Sequence, residues 1–97
     1  MENNSVNDYV IINLEGRIDS ENCDQVEDEI LTKVYNSKAK TIVLNMKKLN
    51  YISSAGLRVI LRLKKTYGDV SVINVNPDVY QVFEMTGYTD ILPVKKA

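Results

Sequence analysis

Leu49-Asn50-Tyr51-Ile52-Ser53-Ser54-Ala55-Gly56-Leu57-Arg58-Val59-Ile60-Leu61 changes character in its middle. Ahead of the serines it extends the β-rich run Thr41-Ile42-Val43-Leu44-Asn45-Met46, and after them the apolar residues spread into a helical arc. Serine is a favoured N-cap type, because its oxygen accepts an N–H that a helix start leaves unpaired. The spacing predicts a helix over 54–67, stopped by Gly68. At about 100° per residue, Ser54, Arg58, Arg62 and Lys65 share a polar face, and Leu57, Val59, Ile60, Leu61 and Leu63 form a broad apolar arc. So wide an arc needs a sheet and a neighbouring helix to cover it, or leaves part for a partner. The stretch is therefore a buried strand, a tight connection and a helix.

The same alternation holds in both directions. Tyr9-Val10-Ile11-Ile12-Asn13-Leu14 is nearly continuously apolar before Gly16, the pattern of a strand covered on both faces, with room for a short edge strand ahead of it. Asp19 and Ser20 are N-cap types, and Glu21, Asp24, Glu27, Asp28 and Glu29 crowd the early turns of a first helix, where the dipole favours acids. Cys23, Val26, Ile30 and Val34 make its inward stripe, while Glu21, Asp24 and Asp28 face outward. Downstream, Val70-Ser71-Val72-Ile73-Asn74-Val75 reads as a strand. Pro77 opens a third helix anchored by Val79, Val82 and Phe83 and ended at Gly87, and Ile91-Leu92-Pro93-Val94 reads as a last strand at a sheet edge. Strands alternating with helices predict an α/β (α+β) layer: a four- to five-stranded mixed sheet with about three helices mainly on one face.

Composition narrows the function classes. Ninety-seven residues with 44% hydrophobic and 26% charged side chains suit a single folded domain over 1–97. A net charge of -1 argues against a nucleic-acid binder. With no histidine, a catalytic triad or a histidine metal site is excluded, and the single Cys23 allows neither an intramolecular disulfide nor a thiolate cluster. There is no glycine-rich phosphate loop and no convincing carboxylate pair, so the expectation is no enzyme, no metal and no cofactor. Without a basic, apolar leader or a long apolar run, the expected setting is the cytoplasm, with no membrane insertion.

Three segments in order, Gly16-Arg17-Ile18-Asp19, Ile52-Ser53-Ser54-Ala55-Gly56-Leu57, and Asn74-Val75-Asn76-Pro77 running on to Met85-Thr86-Gly87-Tyr88, make the chain resemble the STAS domains, especially the bacterial anti-sigma factor antagonists. The resemblance covers nearly the whole chain. It implies a phosphoacceptor at Ser54, with Ser53 the second choice, and an acidic residue, Asp19, facing that site across the sheet end. It further implies a partner surface of Asp19, Ser53, Ser54, Ala55, Gly56, Arg58 and Arg62. Ser53 stands where the family commonly has Asp, Ala55 stands where many members have Ser, and a chain ending at Ala97 has little room for the family's closing helix. The partners implied are an anti-sigma factor of the ATP-binding serine kinase type and a serine phosphatase. A constitutive STAS scaffold in a transporter or sensor complex, without phosphorylation, is the alternative.

Structural roles account for several of the same residues. Ser53 or Ser54 can be an N-cap, and Asp19 another. Arg58, Arg62 and Lys65 can be a solvated face, Cys23 a small core side chain, and Tyr51 and Ile52 packing residues. Phosphorylation adds about -1.5 to -2 charge, so a group docked on Ser54 would meet a bulky, hydrated anion without any change of fold.

Overall fold

The computed structural model describes residues 8–97. Its elements run β1 (Tyr9–Ile18), α1 (Cys23–Ser37), β2 (Thr41–Ile52), α2 (Ser54–Tyr67), β3 (Asp69–Val75), α3 (Pro77–Met85), a 3₁₀ turn at Tyr88–Asp90, and β4 (Val94–Lys96). The strands lie in the order β1-β2-β3-β4, and all three pairings are parallel. A mixed sheet needs an antiparallel member. None is among the described residues, and the short strand expected ahead of Tyr9 lies outside them. No described helix is long and apolar enough to cross a membrane.

Strand periodicity builds the core. Ile12 and Leu14, then Ile42, Leu44 and Met46, then Val70 and Val72 all point to one buried face. There α1 packs on β1, α2 on β2 and β3, and α3 on β2 and β4. Contrary to the two-sided burial expected for β1, its alternate residues Tyr9 and Ile11 are 53% and 49% exposed. The reason is the all-consecutive strand order: right-handed crossovers between neighbouring parallel strands return every helix to the same side.

The α2 arc is closed off by this packing, since Leu57, Val59, Ile60 and Leu63 are buried and Leu61 is half-buried against the same cluster. On α1, Ile30 and Val34 are buried, Cys23 and Val26 partly so, and Glu21, Asp24 and Asp28 are exposed.

β2 is longer than β1 needs. The register passes from Asn13↔Asn45 to Glu15↔Lys48 and from Gly16↔Leu49 to Arg17↔Tyr51, so β2 carries an extra residue twice. The inward apolar positions accordingly change from a spacing of two at Ile42, Leu44 and Met46 to a spacing of three at Leu49 and Ile52. Both bulges keep Leu49 and Ile52 in the core.

The expected last strand is displaced. Ile91 and Leu92 both donate their N–H to the Tyr88 carbonyl, which closes the 3₁₀ turn and leaves Leu92 as a buried plug. Pro93, which has no N–H, only accepts from Val72, so pairing as a strand begins at Val94.

Among the glycines, Gly56 is the one that admits a close approach. A Cβ there would lie 2.7 Å from Ile52 Cγ1 and 2.8 Å from Ile18 Cγ2, both side chains being buried. Overpacking of this kind costs about 1–3 kcal/mol. Gly56→Ala is therefore expected to lower the melting temperature by about 5 °C or more, as measured by thermal unfolding, with Ala55→Gly as the neighbouring control.

Candidate functional site

The carboxyl ends of β1, β2 and β3 bring three loops together, and every residue singled out around the serines traces to this end of the sheet or to the helix leaving it. The first loop is built on Asp19. Its Oδ1 accepts the backbone N–H groups of Glu21 and Asn22 at 3.0 and 3.2 Å, and its carbonyl accepts that of Cys23 at 2.9 Å. Asp19 thus does a cap's work one turn ahead of the first regular residue of α1, which is why the helix starts later than the cap-type residues suggest. Asn22 returns the contact, its Oδ1 accepting from Asp19 N–H at 2.8 Å and its Nδ2 donating to the Arg17 carbonyl at 2.8 Å. The Arg17 Nε donates to Asp19 Oδ2 at 2.9 Å.

Desolvation is the largest single influence on the Asp19 carboxyl and pushes it upward. The Glu21 and Asn22 N–H groups and the Arg17 guanidinium together outweigh it and hold the group below its ordinary value of 3.8.

The second loop divides the two serines between two roles. Ser53 is the N-cap: its Oγ accepts the Gly56 N–H at 3.3 Å, its carbonyl accepts that of Leu57 at 2.9 Å, and its own N–H donates to the Ile18 carbonyl at 2.9 Å. That last bond ties the α2 start to the end of β1. Ser54, the first helical residue, is exposed, and among the described residues no hydrogen bond holds its hydroxyl. Ser54 is therefore the serine presented to solvent, at a helix start whose N–H groups and dipole suit an anion.

The third loop adds Asn76. Its Oδ1 accepts the Val79 N–H at 2.8 Å to cap α3, and its Nδ2 donates to the Leu49 carbonyl at 3.0 Å. Pro77 holds the first helical position, as its fixed φ predicts.

The remaining expected contact residues separate. Ala55 is half-buried, and Arg58 is exposed one turn beyond Ser54. Gly56 is buried beneath the turn, which corrects its expected place on the contact surface: it acts by admitting the close approach. Arg62 is engaged, with Nε and Nη2 donating to the two Glu27 oxygens at 2.9 and 2.8 Å across α1 and α2. This bond holds the Glu27 carboxyl below its usual range and raises the Arg62 guanidinium.

Tyr51 is 48% exposed rather than packed inside, and the Arg17 guanidinium carbon sits 5.2 Å from its ring centroid, whereas Ile52 is buried. Sequence reasoning gave Arg17, Asn22 and Asn76 no role at the site and Tyr51 only a packing one. The Asn-Pro pair at 76–77 was the only one of these with a local signal, that of a cap.

Two outcomes follow from this geometry. Ser53→Ala leaves the Gly56 N–H unpaired and is expected to destabilise the fold by about 1 kcal/mol, read from denaturant unfolding. Asp19→Asn removes a group whose ionised form the fold favours. Its carboxyl is depressed in the folded state, so the stability it adds is complete above about pH 4 and disappears as the pH falls through the lowered value. Unfolding midpoints of the native chain and Asp19→Asn should therefore differ at about pH 6 and draw together as the pH is lowered below about 4.

Residues 1–97 match the family model of the STAS domain. The chain is 36% identical over 93 residues to a protein of Bordetella bronchiseptica named as the anti-sigma factor antagonist BtrV, covering 92% of this chain and 79% of that one. It is 32% identical over 89 residues to the anti-sigma F factor antagonist of Paenibacillus polymyxa, covering 88% and 76%. Among solved structures, the unphosphorylated form of the anti-sigma factor antagonist SpoIIAA superposes with a TM-score of 0.69 at 26% identity, over 89% of this chain and 78% of that one. The phosphorylated form of the Bacillus SpoIIAA superposes with a TM-score of 0.62 at 23% identity, over 93% and 85%. The fold is thus shared with these proteins, and the chain belongs to the STAS domain family of anti-sigma factor antagonists.

Proposed function

We propose that the chain is a phosphorylation-switched interaction domain: with Ser54 unmodified it binds an anti-sigma factor, and with Ser54 phosphorylated it releases that partner. The observation that carries this reading is the division between the serines. Ser53 is engaged as the cap and Ser54 stands free at the first helical position. A phosphoryl group on Ser53 would break the cap, whereas one on Ser54 meets unpaired N–H groups and the positive dipole end without disturbing it.

The docking surface in this reading is small-featured: the Ser53–Ser54 turn, Ala55 beside it, Asp19 across the sheet end and Arg58 one turn on, with the Arg62–Glu27 pair as its border and Gly56 as its floor. Flat, low side chains permit close approach, and a phosphate of about -1.5 to -2 charge ends it. The partner that fits is an anti-sigma factor able to transfer a phosphoryl group from ATP to serine, with a serine phosphatase to restore the hydroxyl. The work is binding and release rather than catalysis, in the cytoplasm.

Intact-mass and phosphosite mapping of the protein recovered from its own cells tests this. The expected result is a single phosphoryl addition that Ser54→Ala abolishes, together with a loss of anti-sigma factor affinity of about 100-fold in Ser54→Asp, equivalent to ~3 kcal/mol. An addition on Ser53 would contradict the assignment of the two serines. No addition under any growth condition would replace the switch with a constitutive STAS scaffold.

A further inference from the structure

The Arg17 side chain reaches from β1 both to β2 and to the loop leading into α1. Its guanidinium donates to Asp19 Oδ2 at 2.9 Å and lies over the Tyr51 ring at 5.2 Å, and its carbonyl accepts from Asn22 Nδ2 at 2.8 Å. It sits directly opposite Tyr51, just past the second bulge, and the next rung of the ladder pairs Ile18 with Ile52. The Ile18 carbonyl then receives the Ser53 N–H. A single rung, Ile18–Ile52, therefore separates the Arg17–Tyr51 contact from the cap that presents Ser54.

We propose that Arg17 is a positioning residue for Ser54, clamping the Asp19 loop to the exit of β2 so that the Ser53 cap and the Ser54 hydroxyl are held in one presentation. The proposal rests on the reading of Ser54 as the modified residue. An exposed ion pair is weak alone, and an exposed cation–π contact is only somewhat stronger. Here both act from one guanidinium whose anionic partner is already anchored by two backbone N–H groups, so Arg17 pays little extra ordering to hold both loops. Asn22 fixes the backbone of Arg17 from the other side, which limits how far the clamp can swing.

The test compares the native chain with Arg17→Ala, Arg17→Lys and Tyr51→Leu. In amide hydrogen exchange, Arg17→Ala is expected to speed exchange at Ser53 and Gly56 by about fivefold to tenfold, with Leu44 in the middle of β2 unchanged. Tyr51→Leu reproduces part of the effect, and Arg17→Lys, which keeps the charge beside Asp19, reverses most of it. In its own cells, the share of the chain phosphorylated on Ser54 is expected to fall by about threefold or more in Arg17→Ala and to recover in Arg17→Lys. Unchanged exchange at Ser53 and Gly56 overturns the proposal. Faster exchange with an unchanged phosphorylated share also overturns it, since Arg17 would then be structural only. If the native chain carries no phosphoryl group, the phosphorylation reading itself fails, and with it the role of Arg17 in presenting that group.

Discussion

The structure turns on how closely the first turn of α2 sits on the ends of β1 and β2. Gly56 lies against Ile18 and Ile52 with no space for a methyl group, and the Ser53 N–H donates to the Ile18 carbonyl. These two contacts weld a helix start to two strand ends. They leave the next residue, Ser54, exposed to solvent on a mount that both contacts hold. A hydroxyl on a loose loop presents many geometries; one at the first position of a capped helix presents few.

The rest of the sheet end supports that mount. Asp19 organises the β1–α1 loop through backbone N–H groups, and Asn76 joins the β3–α3 loop to the Leu49 carbonyl. Both polar side chains do work that regular structure leaves undone at helix starts. The double bulge in β2 serves the same end, because without it Leu49 and Ile52 would not both face the core while Ser53 meets Ile18. Labour is divided: buried apolar residues fix where this sheet end sits, and the polar residues around it engage Ser53 and leave Ser54 exposed.

Much of this was legible in the sequence. The α2 boundaries follow from Ser53–Ser54 and Gly68, the latter with a φ of 82° that suits glycine, and Asn76-Pro77 marks the start of α3. The resemblance to STAS domains pointed to Ser54, and the cap hydrogen bond at Ser53 supplies a physical reason for preferring it in the proposed reading. What the sequence hid depended on tertiary contacts. Two-sided burial of β1 was read from a run of apolar residues, but strand order decides how many faces are covered, and periodicity carries no strand order. The last strand was placed too early because Leu92 is apolar in a turn as readily as in a strand. Tyr51 looked like packing because its exposure depends on a bulge that brings Arg17 over its ring. Arg62 looked free because its partner, Glu27, lies 35 residues away on another helix.

In the proposed switch, phosphorylation changes what the surface offers and leaves the fold in place. The most direct measurement is a comparison of backbone amide chemical shifts between the chain with serine at position 54 and the chain with phosphoserine incorporated there. The predicted result is change confined to residues 17–22, 51–58 and 74–77, with β4 and the middle of each strand unmoved. Shifts spreading through β3 and β4, or loss of dispersion across the sheet, would show that the modification acts by reshaping the domain and would contradict the account.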